Sequence, residues 1–162
     1  MQKYKSEVHI CRTMEHLSLP EFDIRLKREQ ETTLVFDQIR KKFVVLTPEE
    51  WVRQHFINYL VTELSYPKSL INVEQGLRYN SLLKRSDIIV FNRLGEPVIL
   101  IECKSARHQI NQKVMEQALM YNKTIGAGYV IVTNGLESAC MHIRKDISKV
   151  EFLSQIPSFD KL

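Results

Sequence analysis

The chain lacks what marks a membrane-spanning, secreted or disulfide-stapled protein. In its 162 residues no apolar run approaches the roughly 20 residues that cross a bilayer. The stretch Met1 to Glu7 has no apolar core of the signal-peptide kind, so a cytoplasmic protein is expected, with no membrane partner. Three cysteines, Cys11, Cys103 and Cys140, are an odd number without a Cys-x-x-Cys pair, which argues for reduced thiols in a reducing compartment. His9 with Cys11, and Cys140 with His142, have the wrong spacing for the common zinc sites. There are no repeats, no low-complexity segments and no Gly-x-x-x-x-Gly-Lys-Ser/Thr phosphate loop.

What is present reads as one ordinary globular domain. Such a length buries about two-thirds of its surface without staples. The net charge of +4 and a sequence pI near 9.0 fit a polyanionic partner without requiring one. Basic residues gather at Arg25, Lys27 and Arg28, at Arg40 to Lys42, at Lys84 and Arg85, at Lys104 to His108, and at Arg144 and Lys145. Clusters like these are often solvated faces. Here they flank an acidic patch, which makes phosphate contact a reading worth carrying.

That patch comes from residues 85–104. Two Val/Ile-rich runs, Asp87 to Phe91 and Val98 to Ile101, flank a turn from Asn92 to Pro97, the pattern of a β-hairpin. A turn centred between Leu94 and Gly95 sets Asp87 opposite Glu102, and the two-residue alternation of strands brings Lys104 to the same face. Ile88, Val90, Ile99 and Ile101 then share one face, and Ile89, Phe91, Val98 and Leu100 the other, so both faces look covered. Two ionised carboxylates this close repel, and a hard divalent cation such as Mg²⁺ between them removes that cost. The plainer reading makes Asp87 a strand cap and Glu102 the ion-pair partner of Lys104 or Arg85.

Upstream, the chain reads as an extended arm over residues 1–19, anchored by Leu17, Leu19 and Phe22. A small antiparallel meander follows from Phe22 to Leu46. Thr47, Pro48 and Glu50 form a capping box that opens a helix carrying Val52, Phe56, Tyr59, Leu60 and Leu64, ending before Tyr66-Pro67. Pro67 to Asn72 reads as a loop and Val73 to Leu77 as a strand or edge segment. An amphipathic helix runs from Ile110 to Gly126, then an apolar strand Tyr129 to Thr133, which the handedness of βαβ crossovers makes parallel to Val98–Glu102. Cys140 to Arg144 is a further short strand, and Asp146 to Leu162 a tail with weak helical character.

An Asp at the start of one strand, Glu-x-Lys at the end of the next, and a Gln-x-x-x-Tyr helix after it together resemble the PD-(D/E)xK nuclease superfamily. Thr47 to Gly135 resembles the N-terminal nuclease domain of type I restriction enzyme R subunits. The resemblance is carried by Thr47 to Gln54, Val73-Glu74, Lys84 to Asp87, Ile101 to Lys104, Gln117 to Tyr121 and Thr133 to Gly135, a little over half of the chain. It implies an α/β fold, restriction-endonuclease-like, with a mixed central β-sheet flanked by helices and a β-rich N-terminal extension. The boundaries expected are an extension at 1–46, a nuclease-like core at 47–145 and a tail at 146–162.

The function implied is Mg²⁺- or Mn²⁺-dependent endonucleolytic hydrolysis of DNA. Asp87, Glu102 and the Cys103 backbone carbonyl would bind the metal, and Lys104 would position or activate the attacking water. Glu50, or Glu49 if the helix is rotated, would complete the acidic cluster, although as a capping-box residue Glu50 needs no such role. Glu74 is the other acidic candidate. Gln117 and Tyr121, four apart on one helix face, would line the nucleic-acid side together with Arg85 and Arg107. Restriction R subunits carry a motor after this domain, and here no phosphate loop follows. The expected partners are therefore DNA, a separate ATPase or specificity subunit, and a second copy, because cutting both strands usually takes two sites. The rival reading is a catalytically silent nucleic-acid-binding or partner-dependent component of the same fold.

Overall fold

The computed structural model describes residues 14–79, 82–144 and 149–162, and of residues 74–79 and 82–85 the backbone alone. Among the described residues, two sheets and two α-helices make the architecture. Strands β1 (Leu26–Glu29), β2 (Thr32–Asp37) and β3 (Lys42–Val45) form the antiparallel meander expected from the alternation. It is a sheet of its own rather than an extension of the main one.

The main sheet has six strands in the order β4 (Ile71–Tyr79), β5 (Leu82–Phe91), β6 (Pro97–Cys103), β7 (Tyr129–Thr133), β8 (Ser138–Arg144) and β9 (Lys149–Leu153). All neighbours are antiparallel except β6 and β7, the parallel pair that the crossover through a helix requires. The β5–β6 hairpin pairs Ile88 with Ile101, Ile89 with Leu100 and Val90 with Ile99, the expected register, before a shift at Phe91. Val98, expected on the same face as Ile89, packs with the opposite cluster, next to that irregularity. In the turn, Asn92 Oδ1 accepts from the backbone N–H groups of Leu94 and Glu96, both at 2.9 Å, and Gly95 takes φ +79°.

Helix α1 (Pro48–Thr62) starts where the cap pattern places it, with the Glu50 N–H donating to Thr47 Oγ1 at 3.0 Å. Its Trp51, Val52, Phe56, Ile57 and Leu60 bury against Ile88, Val90, Ile99, Ile101 and Ile131 on one face of the sheet. Helix α2 (Gln112–Ile125) covers the other face, setting Val114, Ala118 and Tyr121 on Ile89, Leu100, Val130, Val132 and Met141. It begins on an Asn111 side-chain cap and ends at Gly126 with φ +77°. A hydrophobic layer on each face is why the strands β5 to β7 are nearly continuous Ile and Val.

The two chain ends close the core. Leu17 of the arm is 5% exposed, and Ser18 N–H donates to Gly135 O at 2.8 Å; the rest of the arm, 1–13, with His9 and Cys11, lies outside the described residues. The tail departs from expectation. Lys149–Leu153 is a strand rather than a helix, because its alternating residues complete the ladder with β8. Beyond it, Tyr66 donates from its hydroxyl to Pro157 O at 2.7 Å. The expected loop before β4 contains one 3₁₀ turn, Lys68–Leu70, and the strand begins at Ile71.

Candidate active site

The hairpin, the crossover and the first turn of α1 bring charged groups together at one end of the sheet. Asp87 stands in β5, one step beyond the Ile88–Ile101 pair, where the register sets it against Glu102 of β6. It is 8% exposed. Its Oδ2 accepts from the Cys103 backbone N–H at 2.7 Å and its Oδ1 from Arg53 Nη2 at 2.6 Å. Glu102 Oε1 accepts from Lys104 Nζ at 2.7 Å. The Lys104 backbone is itself pinned by a 2.8 Å bond from its N–H to Thr133 O, which continues the β6–β7 ladder by one residue.

Electrostatics tie these groups together. Burial, then the charge on Asp87, raises the Glu102 carboxyl above the ordinary value of 4.5, against the pull of Lys104. Glu49 is raised in the same way, by burial first and by Asp87 second. For Lys104 burial works downward, but the hydrogen bond and charge of Glu102 prevail, so its pKa is raised and it stays an ammonium. Cys103 is fully buried, and burial pushes its thiol well above the usual value, so its sulfur is inert here.

Glu49 and Glu50 have parted company. Successive residues on a helix lie about 100° apart, so only one can face the site. Glu50 is buried in a network that reaches Asp87 through Arg53. Its Oε1 holds Arg40 Nη2 and Gln54 Nε2, both at 2.8 Å, and its Oε2 holds Arg53 Nη1. Of the capping box only the Thr47 half forms, because the Glu50 carboxylate is drawn to these cations. Glu49, half exposed, ion-pairs with Arg53, and burial first and then the charge on Asp87 raise its pKa. Glu50 is thus engaged by Arg40, Arg53 and Gln54, while Glu49 Oε1 lies 3.5 Å from Arg53 Nη2. Glu74 occupies the β4 position facing Asp87, between the pairs Val73–Ile88 and Gln75–Ser86, and its side chain lies outside the described residues.

The basic and polar candidates divide similarly. Tyr121 is buried beneath the site; its hydroxyl is hydrogen-bonded to Ser86, and burial raises its pKa, with Glu102 contributing. Gln117 is exposed one turn earlier on the same face of α2. Arg107 is on the rim, exposed, with Nε 2.5 Å from Glu15 Oε1. The Arg85 side chain lies outside the described residues. Arg53, Arg40 and Asp37 were not among the candidates that sequence reasoning singled out. The available signal was the i+3 and i+4 spacing of Arg53 from Glu50 and Glu49 within the Thr47–Gln54 stretch.

The donor chemistry fits a hard divalent cation. Asp87 and Glu102 offer oxygens, bonded to Arg53 and Lys104 respectively, and the pKa of Glu102 is raised by burial first and by the charge on Asp87 second, both of which a cation would offset. Among the described residues no set of three or more His, Cys, Asp and Glu side chains is drawn into a cage. Mg²⁺ is commonly held by one or two carboxylates with water in its remaining positions, and Asp87 and Glu102 are the two carboxylates that the hairpin sets opposite each other.

Comparison with known proteins gives this arrangement a lineage. Residues 48–157 match the family described as the type I restriction enzyme R protein N terminus. The chain belongs to that family. The match runs from the first residue of α1 through β9, so it includes the hairpin and the crossover, and it relates the protein to restriction nucleases. Among solved structures, a fragment assigned as the HsdR subunit of a type I restriction enzyme from Vibrio vulnificus superposes with a TM-score of 0.53 at 19% identity. The superposition covers 72% of this chain and 24% of that one, so the present chain spans about a quarter of the length of that relative and shares its fold. No curated protein matches. The family match starts after the β1–β3 sheet, so Asp37 and Arg40 come from outside the matched region. No helix among the described residues is long and apolar enough to cross a membrane.

Proposed function

We propose that this restriction-family domain is a metal-dependent nuclease that hydrolyses DNA phosphodiester bonds, with Mg²⁺ or Mn²⁺ as cofactor. The observation that carries the reading is the hairpin end, where Asp87, Glu102 and Lys104 converge with Glu49 alongside. Asp87, Glu102 and the Cys103 carbonyl would hold the cation, with Glu49 as the additional carboxylate. When bound, a divalent ion would supply Lewis-acid polarisation of the scissile phosphate and make bound water more acidic.

The chain's own residues do the rest. Lys104, kept protonated by Glu102, carries a positive charge toward the reacting phosphate and stabilises the negative charge that develops there. Its fixed backbone and its bond to Glu102 reduce the reorganisation this requires. Gln117 and Arg107, both exposed, line the substrate approach, while Tyr121 supports the floor through Ser86. The family also points to work alongside other subunits, an ATPase or a specificity partner, and a pair of sites in a homodimer would cut both strands.

The test is cleavage of linear, circular and single-stranded DNA and of RNA with Mg²⁺ or Mn²⁺, wild type against Lys104→Ala. Metal-dependent cutting of DNA that disappears in the variant is the expected result. If the folded wild type neither cuts nor binds DNA and gains no thermal stability from either metal, the reading fails.

A further inference from the structure

The residue that the hairpin pattern did not reveal stands in direct contact with the key carboxylate. Arg53 is 5% exposed; its Nη2 donates to Asp87 Oδ1 at 2.6 Å and lies 3.5 Å from Glu49 Oε1, and its Nη1 donates to Glu50 Oε2. Glu50 is in turn held by Arg40 at 2.8 Å, and Arg40 Nε is 2.6 Å from Asp37 Oδ2. Asp37 is wholly buried at the end of β2 and also accepts from Gln54 Nε2 at 2.9 Å and from the backbone N–H groups of Ile39 and Arg40, both at 2.7 Å. Alternating charges therefore run Asp37, Arg40, Glu50, Arg53, Asp87, from the meander, through α1, to the end of the hairpin.

The chain of charges does two things to Asp87. Its carboxylate plane is set by two donors from different elements, the Cys103 N–H of β6 and the guanidinium of α1. A carboxylate has about four lone-pair sites, so the remaining ones stay available to a ligand. At the same time, a buried cation bonded to Oδ1 lowers the attraction of Asp87 for a second cation. Arg53 cannot withdraw into solvent to make room, because Glu50 and the burial of the helix hold it in place.

We infer that Arg53 is a positioning residue for Asp87 that also competes with the divalent cation for that carboxylate, so that cation affinity is given up for a fixed orientation. The inference rests on the metal-dependent reading above. It assigns the β1–β3 sheet a part in the site, since Asp37 and Arg40 anchor the far end of the network.

The test is Mn²⁺ titration by calorimetry, together with steady-state cleavage, on wild type, Arg53→Gln and Arg53→Lys. Arg53→Gln is expected to bind Mn²⁺ roughly tenfold more tightly, the scale of removing one charge beside the ion in a partly screened site. Its kcat should fall while the KM for DNA stays near that of wild type. Arg53→Lys keeps the charge but replaces the rigid two-nitrogen fork between Asp87 and Glu50 by a single nitrogen on a shorter stem; it should bind Mn²⁺ like wild type and recover only part of kcat. It remains informative if the Gln variant does not fold. Unchanged or weaker Mn²⁺ binding by folded Arg53→Gln, or full kcat in Arg53→Lys, overturns the inference while leaving the nuclease reading standing. A wild type that neither binds Mn²⁺ nor cuts removes both, and so is told apart.

Discussion

Asp87 Oδ2 accepts the Cys103 backbone N–H at 2.7 Å, so the first carboxylate of the site is built into the backbone of the strand that bears the second. Asp87 is therefore structural in its own right, whatever it does for a ligand. Replacing it by alanine leaves the Cys103 N–H and the buried Arg53 without this partner. We expect a loss of about 3–5 kcal/mol of stability, the usual cost of breaking a buried ion pair, read as a lower denaturant midpoint. A stability within experimental error of wild type would contradict this geometry.

Lys104→Ala should separate chemistry from folding. The Lys104 side chain is 24% exposed and, among the described residues, it ion-pairs with Glu102, also partly exposed. Pairs of this kind contribute roughly 0–1 kcal/mol. The melting curve is expected to move by a few degrees at most while cleavage disappears. A variant that loses both would show Lys104 to be a fold element first.

The adjacent glutamates should behave oppositely. Glu49→Gln is expected to leave the fold intact and to reduce the thermal stabilisation that Mg²⁺ gives, because it removes the charge coupled to Asp87 and Glu102. Glu50→Gln sits among Arg40, Arg53 and Gln54 and should cost several kcal/mol, on the order of 3–5, with or without metal. Thermal melts of both variants in EDTA and in Mg²⁺ decide it. The reverse pattern would return Glu50 to the metal site.

The pH dependence follows from the raised carboxyls. In the window between 4.5 and their higher folded values, Glu102 and Glu49 bind more protons in the folded chain than in the unfolded one. These groups therefore make stability rise as pH falls through that window and fall as pH climbs through it. With metal chelated, Glu102→Gln should show a flatter melting-temperature profile than wild type between neutral pH and about 5. Parallel profiles would mean that Glu102 is not strained by its surroundings.

By itself the sequence determined whatever depends on neighbours along the chain. The Thr47 cap, the Asn92–Pro97 turn, the meander and the β5–β6 register are local, because caps, turns and two-residue alternation act over a few residues. The parallel β6–β7 pair also followed, since a strand–helix–strand unit has one favoured hand. Tertiary structure alone decided what depends on rotation and on distant charges. The sequence marked Glu50 by its cap position and Glu49 as its alternative, but the packing of α1 on the sheet, with Arg40 arriving from the β2–β3 turn, decided that Glu50 is held by Arg40, Arg53 and Gln54. The Arg53–Asp87 bond spans thirty-four residues, and β9 became a strand because β8 offered it an open edge. A long-range contact such as Arg53–Asp87 leaves no period in the sequence, because the partner that selects the side chain's direction is brought near only by the fold.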